Sequence, residues 1–189
     1  RKVDTDMITQ CDLKDAYLEI AEDLNKRLAA FNILELVDKF TPLQENSADI
    51  YKLLRWILDL IRKETFIEKA VVIFQLKLLE YTGFLPQLDS CTNCSGPLPK
   101  DAYFSIRLSG LLCGACRRTD VQAIPFSKGA TASINMIRRQ SIKQFGRLEL
   151  TKGIARELKL LLDRFIVYHL GELMRTQEFI KEAESQGVI

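Results

Sequence analysis

The strongest constraint on this 189-residue chain is a pair of Cys-x-x-Cys turns that lie eighteen residues apart. The first turn contains Cys91 and Cys94, and the second contains Cys113 and Cys116. Two residues between cysteines let a tight turn aim both sulfurs at one point, so two such turns can complete a tetrahedron around zinc. Four thiolates leave no coordination position open for water or substrate. The pattern therefore predicts a structural site that holds one Zn²⁺ per chain.

Disulfide bonds and a thioredoxin-like redox pair are the alternative uses of these cysteines. The fifth cysteine, Cys11, would leave an odd thiol, and the chain shows no secretory signal. Cys91 also follows a loop rather than a predicted strand. These points favour zinc over both alternatives.

Apolar residues recur at spacings of three and four on both sides of the cysteines, which indicates amphipathic helices. Asp12 is the predicted N-cap of one long helix, or of two close ones, that ends at Thr41-Pro42. Ser47 is the predicted N-cap of the next helix. A third helix is apolar on most sides, which predicts that it is buried, and Gly83 is its predicted left-handed cap.

Between the cysteine turns, the alternation at Tyr103–Leu108 predicts a short β-hairpin. The segment 91–116 has few apolar residues of its own, so it is predicted to depend on metal for its local folding. After a loop through Pro125, helical patterns resume at about 129–142, 151–174 and 176–185. Gly171 is predicted inside the second of these helices, where it costs about 1 kcal/mol relative to alanine.

The predicted fold class is therefore mainly α, with a helical bundle domain that carries an inserted four-cysteine zinc ribbon or knuckle. The start at Arg1 suggests that more chain precedes this one. The predicted parts are 1–11 as the last strand of an upstream domain or a linker, 12–90 as the first part of the helical domain, 91–116 as the zinc insert and 117–189 as the second part of the helical domain.

The charge of the chain changes sign at the cysteine segment. Residues 1–90 carry 12 basic and 16 acidic side chains, whereas residues 91–189 carry 15 and 9. Between Arg107 and Arg164 there are 12 basic and 4 acidic side chains. Such a block predicts binding of a polyanion such as nucleic acid, although a solvated face is the alternative. The candidate contacts are Arg117, Arg118, Lys128, Arg138, Arg139, Lys143 and Arg147, followed by Lys152, Arg156 and Lys159.

Aromatic residues interleaved with this block, such as Tyr103, Phe104, Phe126 and Phe145, could stack on unpaired bases, with the core as the alternative place for at least half of them. Little in the chain indicates catalysis. The single histidine, His169, lies in an apolar helical stretch, and no glycine-rich phosphate loop or nucleophile elbow is present. No apolar run reaches the length of about eighteen residues that a membrane span needs.

The order of these features resembles the C-terminal, zinc-bearing helical region of the bacterial RecO family. In that family leucines precede Gly-x-x-Pro-x-Leu-x-x-Cys-x-x-Cys, and Phe-Ser and Gly-x-x-Cys-x-x-Cys follow. One departure is Ser109-Gly110, which stands where the family usually has two glycines. The matching residues here are Leu78, Leu79, Gly83, Pro86, Leu88, Cys91, Cys94, Phe104, Ser105, Gly110, Cys113 and Cys116.

The resemblance implies a role as a mediator of recombinational DNA repair rather than as an enzyme. It implies binding to single- and double-stranded DNA, annealing of complementary strands, and action with RecR to load RecA. It also implies contact with the acidic, apolar C-terminal tail of the single-stranded-DNA-binding protein, and a bacterial cytoplasmic, nucleoid-associated location. Family members begin with an OB-fold domain, of which 1–11 would be at most the last strand. The alternative is a helical scaffold that binds no DNA and uses its zinc ribbon for protein contacts.

Overall fold

The computed structural model describes residues 7, 9–41, 47–98 and 102–185. Residues 1–6 and 8 of the predicted first segment, Pro42 and residues 186–189 lie outside these ranges. The mainly α fold with a small β-structure beside four cysteines is confirmed. The helices of the described part are α1 Leu18–Ala21, α2 Leu24–Phe40, α3 Ala48–Lys63, α4 Ile67–Tyr81, α5 Lys128–Arg139, α6 Lys152–Leu170 and α7 Arg175–Ser185.

Helix α4 is the centre of the bundle. Every residue from Lys69 to Leu79 is buried, because α2, α3, α5 and α6 all pack against this helix. A helix that is apolar nearly all round is stable only when it is enclosed in this way. Gly83 follows with a φ of 78°, as predicted for its left-handed cap.

The first helical segment begins later than the sequence predicts. Asp12 and Leu13 are exposed and non-helical, and the N-cap of α2 is Asp23, which accepts a hydrogen bond from the Lys26 N–H at 3.1 Å. The Asp15 carboxylate accepts the Tyr17 N–H at 2.9 Å. This local turn competes with helix formation, which explains why the apolar spacing alone placed the start too early.

The predicted interior position of Gly171 is wrong, because α6 ends at Leu170. Gly171 has a φ of 71° and is the C-cap of α6. A left-handed cap favours glycine, so this residue terminates the helix without the predicted cost. Helix α5 ends at Arg139, earlier than predicted, and a 3-10 helix follows at Ile142–Arg147.

The last helix is capped by a distant side chain. Glu35, on α2, accepts hydrogen bonds from the backbone N–H of Arg175 at 2.7 Å and of Thr176 at 3.0 Å. These donors have no partner within α7, because the first N–H groups of a helix point away from it. The negative carboxylate also matches the positive end of the α7 dipole.

The β-structure is an antiparallel three-stranded sheet in the order β2-β1-β3. The predicted hairpin is present, but a third strand pairs with β1 where the sequence predicts a loop. This strand contains Pro125 and lies at the sheet edge, where proline is tolerated. The sheet therefore reaches beyond the predicted 91–116 segment. Its strands are β1 Ala102–Ser105, β2 Gly110–Leu112 and β3 Ile124–Phe126.

The two faces of this sheet meet different surroundings. Phe104, Leu111 and Phe126 belong to the same core as the helices. Tyr103 and Leu112, one residue out of phase, pack with the cysteines. The alternation follows from the two-residue period of a strand, and it anchors the sheet on the bundle through one face only.

Candidate metal centre and basic surface

The four predicted zinc ligands come together. The Sγ atoms of Cys91, Cys94, Cys113 and Cys116 all lie within 4.8 Å of one another, and those of Cys94 and Cys113 are 3.9 Å apart. A tetrahedron with Zn–S bonds of about 2.3 Å has sulfurs about 3.8 Å apart. All five cysteines, including the exposed Cys11, are free thiols. The cluster can hold a metal ion, and its all-sulfur donor set fits zinc.

One glycine and a backbone hydrogen bond shape the cluster. A Cβ on Gly110 would lie 2.3 Å from Thr92 Oγ1 and 2.6 Å from the Gln87 carbonyl oxygen, so only glycine fits there. The Thr92 N–H donates to the Leu111 carbonyl at 2.8 Å. These contacts hold the first cysteine turn against β2, which brings it to the second turn. Of the Ser109-Gly110 pair, Gly110 therefore has no room for a side chain, and Ser109 has a φ of 53°, in the left-handed region that favours glycine.

Hydrogen-bond donors around the sulfurs affect their ionisation. The Cys113 N–H donates to Cys91 Sγ at 3.4 Å, and Asn93 Nδ2 donates to Cys116 Sγ at 3.3 Å. Burial raises the pKa of Cys91, but the backbone N–H groups of Cys113, Cys94 and Asn93 outweigh it and lower this pKa to about 6. Asn93 lowers the pKa of Cys116, whereas Cys113 and its neighbouring thiols raise it to about 12. A divalent cation would remove this competition between adjacent thiolates.

The candidate basic residues are spread over several surfaces. Arg117 and Arg118 are exposed on a 3-10 helix, Gly114–Thr119, which contains the last cysteine. The Arg117 guanidinium lies 4.6 Å from the centroid of the Tyr103 ring. Lys128 and Arg139 are exposed at opposite ends of α5. These four residues therefore lie on two different elements of the fold.

Three other members of the candidate set differ in their surroundings. Arg138 is half-buried, and its Nη1 lies 3.3 Å from Asp89 Oδ1, so its charge is already paired. Arg147 is exposed. The side chain of Lys143 lies outside the described part of the chain.

The predicted stacking aromatics are mostly in the core. Phe104, Phe126 and Phe145 are buried, and Tyr103 is half-buried beneath Arg117. The sequence missed a different group of rings, since Phe84, Tyr168 and His169 are exposed and adjacent. The centroid of His169 lies 6.0 Å from that of Phe84 and 5.6 Å from that of Tyr168. Only the fold brings Phe84 to α6, so spacing along the chain gave no signal.

His169 connects α6 to the hairpin. Its Nε2 lies 3.2 Å from the hydroxyl of Ser109, and its ring centroid lies 4.3 Å from that of Phe165. Burial lowers its pKa, which favours the neutral imidazole. His169 is therefore exposed but held by contacts with Phe165 and with Ser109 of the hairpin turn.

Two clefts lie on either side of Lys159. The first, which we name the lysine cleft, has a volume of about 720 Å³ and is lined by Lys152, Arg156 and Lys159 on α6, with an apolar wall that includes Leu28 and Phe66. Lys152 and Arg156 form no ion pair with any described residue. The start of α4 also lines this cleft, through Phe66, Ile67 and the acidic Glu68.

The second cleft, which we name the tyrosine cleft, has a volume of about 980 Å³. Leu160, Arg164 and Tyr168 form its α6 wall, and Arg107 from the turn after β1 stands opposite. Leu173 adds an apolar side chain. Helix α7 contributes residues to both clefts.

Comparisons with known proteins agree with these features. Residues 21–178 match the family described as "Recombination protein O C terminal". "DNA repair protein RecO" of Desulforamulus reducens is 30% identical over 176 residues, which cover 93% of this chain and 68% of that protein. The protein of the same name in Syntrophus aciditrophicus is 29% identical over 185 residues, or 96% and 71% of the two chains.

Another "DNA repair protein RecO", from Dehalococcoides mccartyi, is 31% identical over 156 residues, which cover 82% of this chain and 61% of that protein. Among the described residues, no helix has both the length and the apolar character that crossing a membrane requires. The matched segment includes the four-cysteine cluster and, except for Ile180, every residue that lines the two clefts. The chain therefore belongs to the RecO family, through the C-terminal region of that family.

Proposed function

We propose that this chain acts in DNA repair and homologous recombination as a non-enzymatic mediator that binds single- and double-stranded DNA. Membership of the RecO family supports this role. The observation that carries it is the set of unpaired cations between Arg107 and Arg164. Among the described residues, only two basic side chains in this interval form ion pairs with carboxylates, namely Arg138 and Lys159.

Unpaired, exposed cations are the groups that neutralise phosphates and release counterions. Their spread over several surfaces favours contact with a long sugar-phosphate backbone, which is what annealing of two strands requires. We further propose that the chain works with RecR and promotes RecA loading in the bacterial cytoplasm, at the nucleoid. These steps shift binding equilibria, so they need no catalytic group.

The test is a titration of fluorescent single- and double-stranded oligonucleotides at several salt concentrations. We expect affinity to fall steeply as salt rises, and the double variant Arg117→Glu/Arg118→Glu to bind more weakly with a smaller salt slope. Lys52→Glu, an exposed cation of α3 that pairs with Asp49, is the matched control. Absence of binding at low salt would contradict the mediator role and favour the protein scaffold.

We propose that the tail of the single-stranded-DNA-binding protein binds in the lysine cleft. The tail is acidic and apolar, and the cleft offers the complementary pair of features, unpaired cations at Lys152 and Arg156 beside the apolar Leu28 and Phe66. A peptide with a free terminal carboxylate should bind more tightly than its amidated form, because the amide removes one anion. Lys152→Ala/Arg156→Ala should weaken binding of both peptides, and should weaken binding of the free peptide more than that of the amidated one. Equal losses for both peptides would contradict this placement.

We propose that the cysteine cluster holds one structural Zn²⁺. Its support is the sulfur geometry, in which four Sγ atoms already lie at separations close to those of a zinc tetrahedron. Elemental analysis should find one equivalent of zinc per chain. Purified, reduced protein without metal but with cysteine disulfides would contradict the proposal.

A further inference from the structure

We propose that the tyrosine cleft binds unpaired nucleobases of single-stranded DNA, with Tyr168 as the stacking ring and Arg107 and Arg164 as phosphate contacts. The inference rests on the proposed DNA binding and assigns part of it to Tyr168, a residue outside the predicted contact set. The cleft volume of about 980 Å³ lies at the upper end of the range for ligand sites, roughly 300–1,000 Å³.

Tyr168 has the properties of a stacking platform. It is 53% exposed on the last turns of α6, and its contact with the perpendicular His169 ring restricts its orientation. An aromatic ring and a nucleobase stack through their π faces whatever the base, so such a ring gives affinity without sequence preference. His169 and Phe84, which is 46% exposed, continue the aromatic surface beyond the cleft. A contiguous exposed aromatic surface marks an interaction site.

The arginines are placed to contact phosphates. Arg164 precedes Tyr168 by four residues, so both side chains lie on one face of α6. Among the described residues, Arg164 has no carboxylate partner. Arg107 is exposed and donates one N–H to the Thr119 carbonyl at 2.6 Å, which fixes the guanidinium and leaves its other donors available.

The two carboxylates of the cleft are already engaged. Asp163 accepts hydrogen bonds from the Lys159 ammonium at 2.6 Å and from the Gln75 amide at 2.8 Å. Asp120 is buried and accepts from the Ser105 hydroxyl at 2.5 Å. Their charges are therefore compensated by protein groups, whereas the charge of Arg164 is open to a ligand.

These features favour a single strand over a duplex, because paired bases do not offer their faces to a side chain. The decisive probes are a thymidine oligomer of about 15 nucleotides, an abasic oligomer with the same phosphates, and a duplex. Tyr168→Ala should lower affinity for the thymidine oligomer at least about fivefold, since one base-aromatic stack contributes about 1–3 kcal/mol. Affinity for the abasic oligomer and the duplex should stay within about twofold of wild type.

Tyr51→Ala, which removes an exposed tyrosine of α3, is the matched control and should bind all three probes like wild type. Loss of abasic binding together with thymidine binding, or no change in either, would overturn the stacking site. So would a Tyr168→Ala variant that loses only the tail peptide, because the cleft would then be a protein site. If wild type bound none of the three probes, the proposed DNA binding itself would fail.

A spectroscopic test reports stacking directly. Trp56 is the single tryptophan, and it packs against Phe145 away from this cleft. In Trp56→Phe/Tyr168→Trp, all tryptophan emission comes from the cleft. Saturating thymidine oligomer should quench this emission, whereas the abasic oligomer should not. Unchanged emission at saturation would overturn the proposal even if the affinities followed the expected order.

Discussion

The two faces of the small sheet are stabilised by different means. One face places Phe104, Leu111 and Phe126 in the core of the helical bundle, where Phe104 and Leu111 are fully buried. The other face packs with a cluster whose only buried members are Leu112, Cys91 and Ala123 within the described residues. The first face is held by apolar burial, whereas the second carries the four cysteines that we propose to hold zinc. We therefore expect dependence on metal at one face and not in the whole ribbon.

The largest expected effect on stability comes from a substitution in the face of the sheet that packs in the helical core. Phe104→Ala removes a fully buried ring that contacts Phe165 and Phe126, with ring centroids at 5.8 and 5.9 Å. We expect the free energy of unfolding to fall by about 3–5 kcal/mol, measured by urea denaturation. The control is Tyr103→Ala on the other face, which should cost much less. Equal losses would mean that the two faces are not separate.

Breaking the cysteine face should have a smaller and more local effect. Cys113→Ser should abolish metal binding but lower the free energy of global unfolding by only about 1–2 kcal/mol. Hydrogen exchange should accelerate around the cysteine turns at 91–96 and 113–116, while α4 stays protected. Collapse of α4 protection in this variant would show that the metal supports the bundle as well.

A hydrogen bond from Ser105 to Asp120 joins β1 to the segment after the second cysteine turn. The hydrogen bond from the Ser105 hydroxyl, with the Gln122 N–H and the charge of Arg107, holds the pKa of Asp120 below its usual value against the opposing effect of burial. The ionised carboxylate therefore adds stability above its unfolded pKa of about 3.9, and this contribution is lost as pH falls towards the folded value. Between about pH 5 and 3, the free energy of unfolding should therefore fall more steeply with falling pH in wild type than in Asp120→Asn, as measured by denaturation.

Ser105→Ala should remove about 1 kcal/mol at neutral pH, because the buried carboxylate loses its donor. The same variant should also show a weaker dependence on pH in the acidic range. If both variants kept the wild-type dependence of stability on pH in the acidic range, the hydrogen bond between Ser105 and Asp120 would not contribute to stability.

The smallest expected effect lies at the solvent edge of the cysteine face. Arg117→Ala removes the cation above Tyr103 and should cost about 0.5 kcal/mol, which a thermal melt of the metal-bound protein can detect. Arg118→Ala, its exposed neighbour, should leave the melting temperature unchanged. If both variants behave alike, the contribution of Arg117 is electrostatic and not specific to the ring.

The predictable parts of the molecule were those encoded locally. The spacing of the cysteines predicts the geometry of the two turns, and the apolar run of α4 predicts that this helix is buried. The sequence places the start of the first helical segment too early because Asp15 forms a competing local turn, and it gives no signal for β3 because three residues around a proline carry too little pattern. The placement of Tyr168 opposite Arg107 depends on the packing of α6 against the hairpin, so no spacing along the chain could predict it.

The cap that Glu35 provides for α7 has a consequence for the order of events during synthesis. Glu35 leaves the ribosome 140 residues before Arg175, whose backbone N–H donates a hydrogen bond to it. A nascent chain that has already formed α2 therefore holds an acceptor without a donor until α7 emerges, and α7 docks after α2 has formed. Because α7 completes both the lysine cleft and the tyrosine cleft, chains that end before α7 lack both surfaces, and the binding that we propose for them requires synthesis to have passed α7.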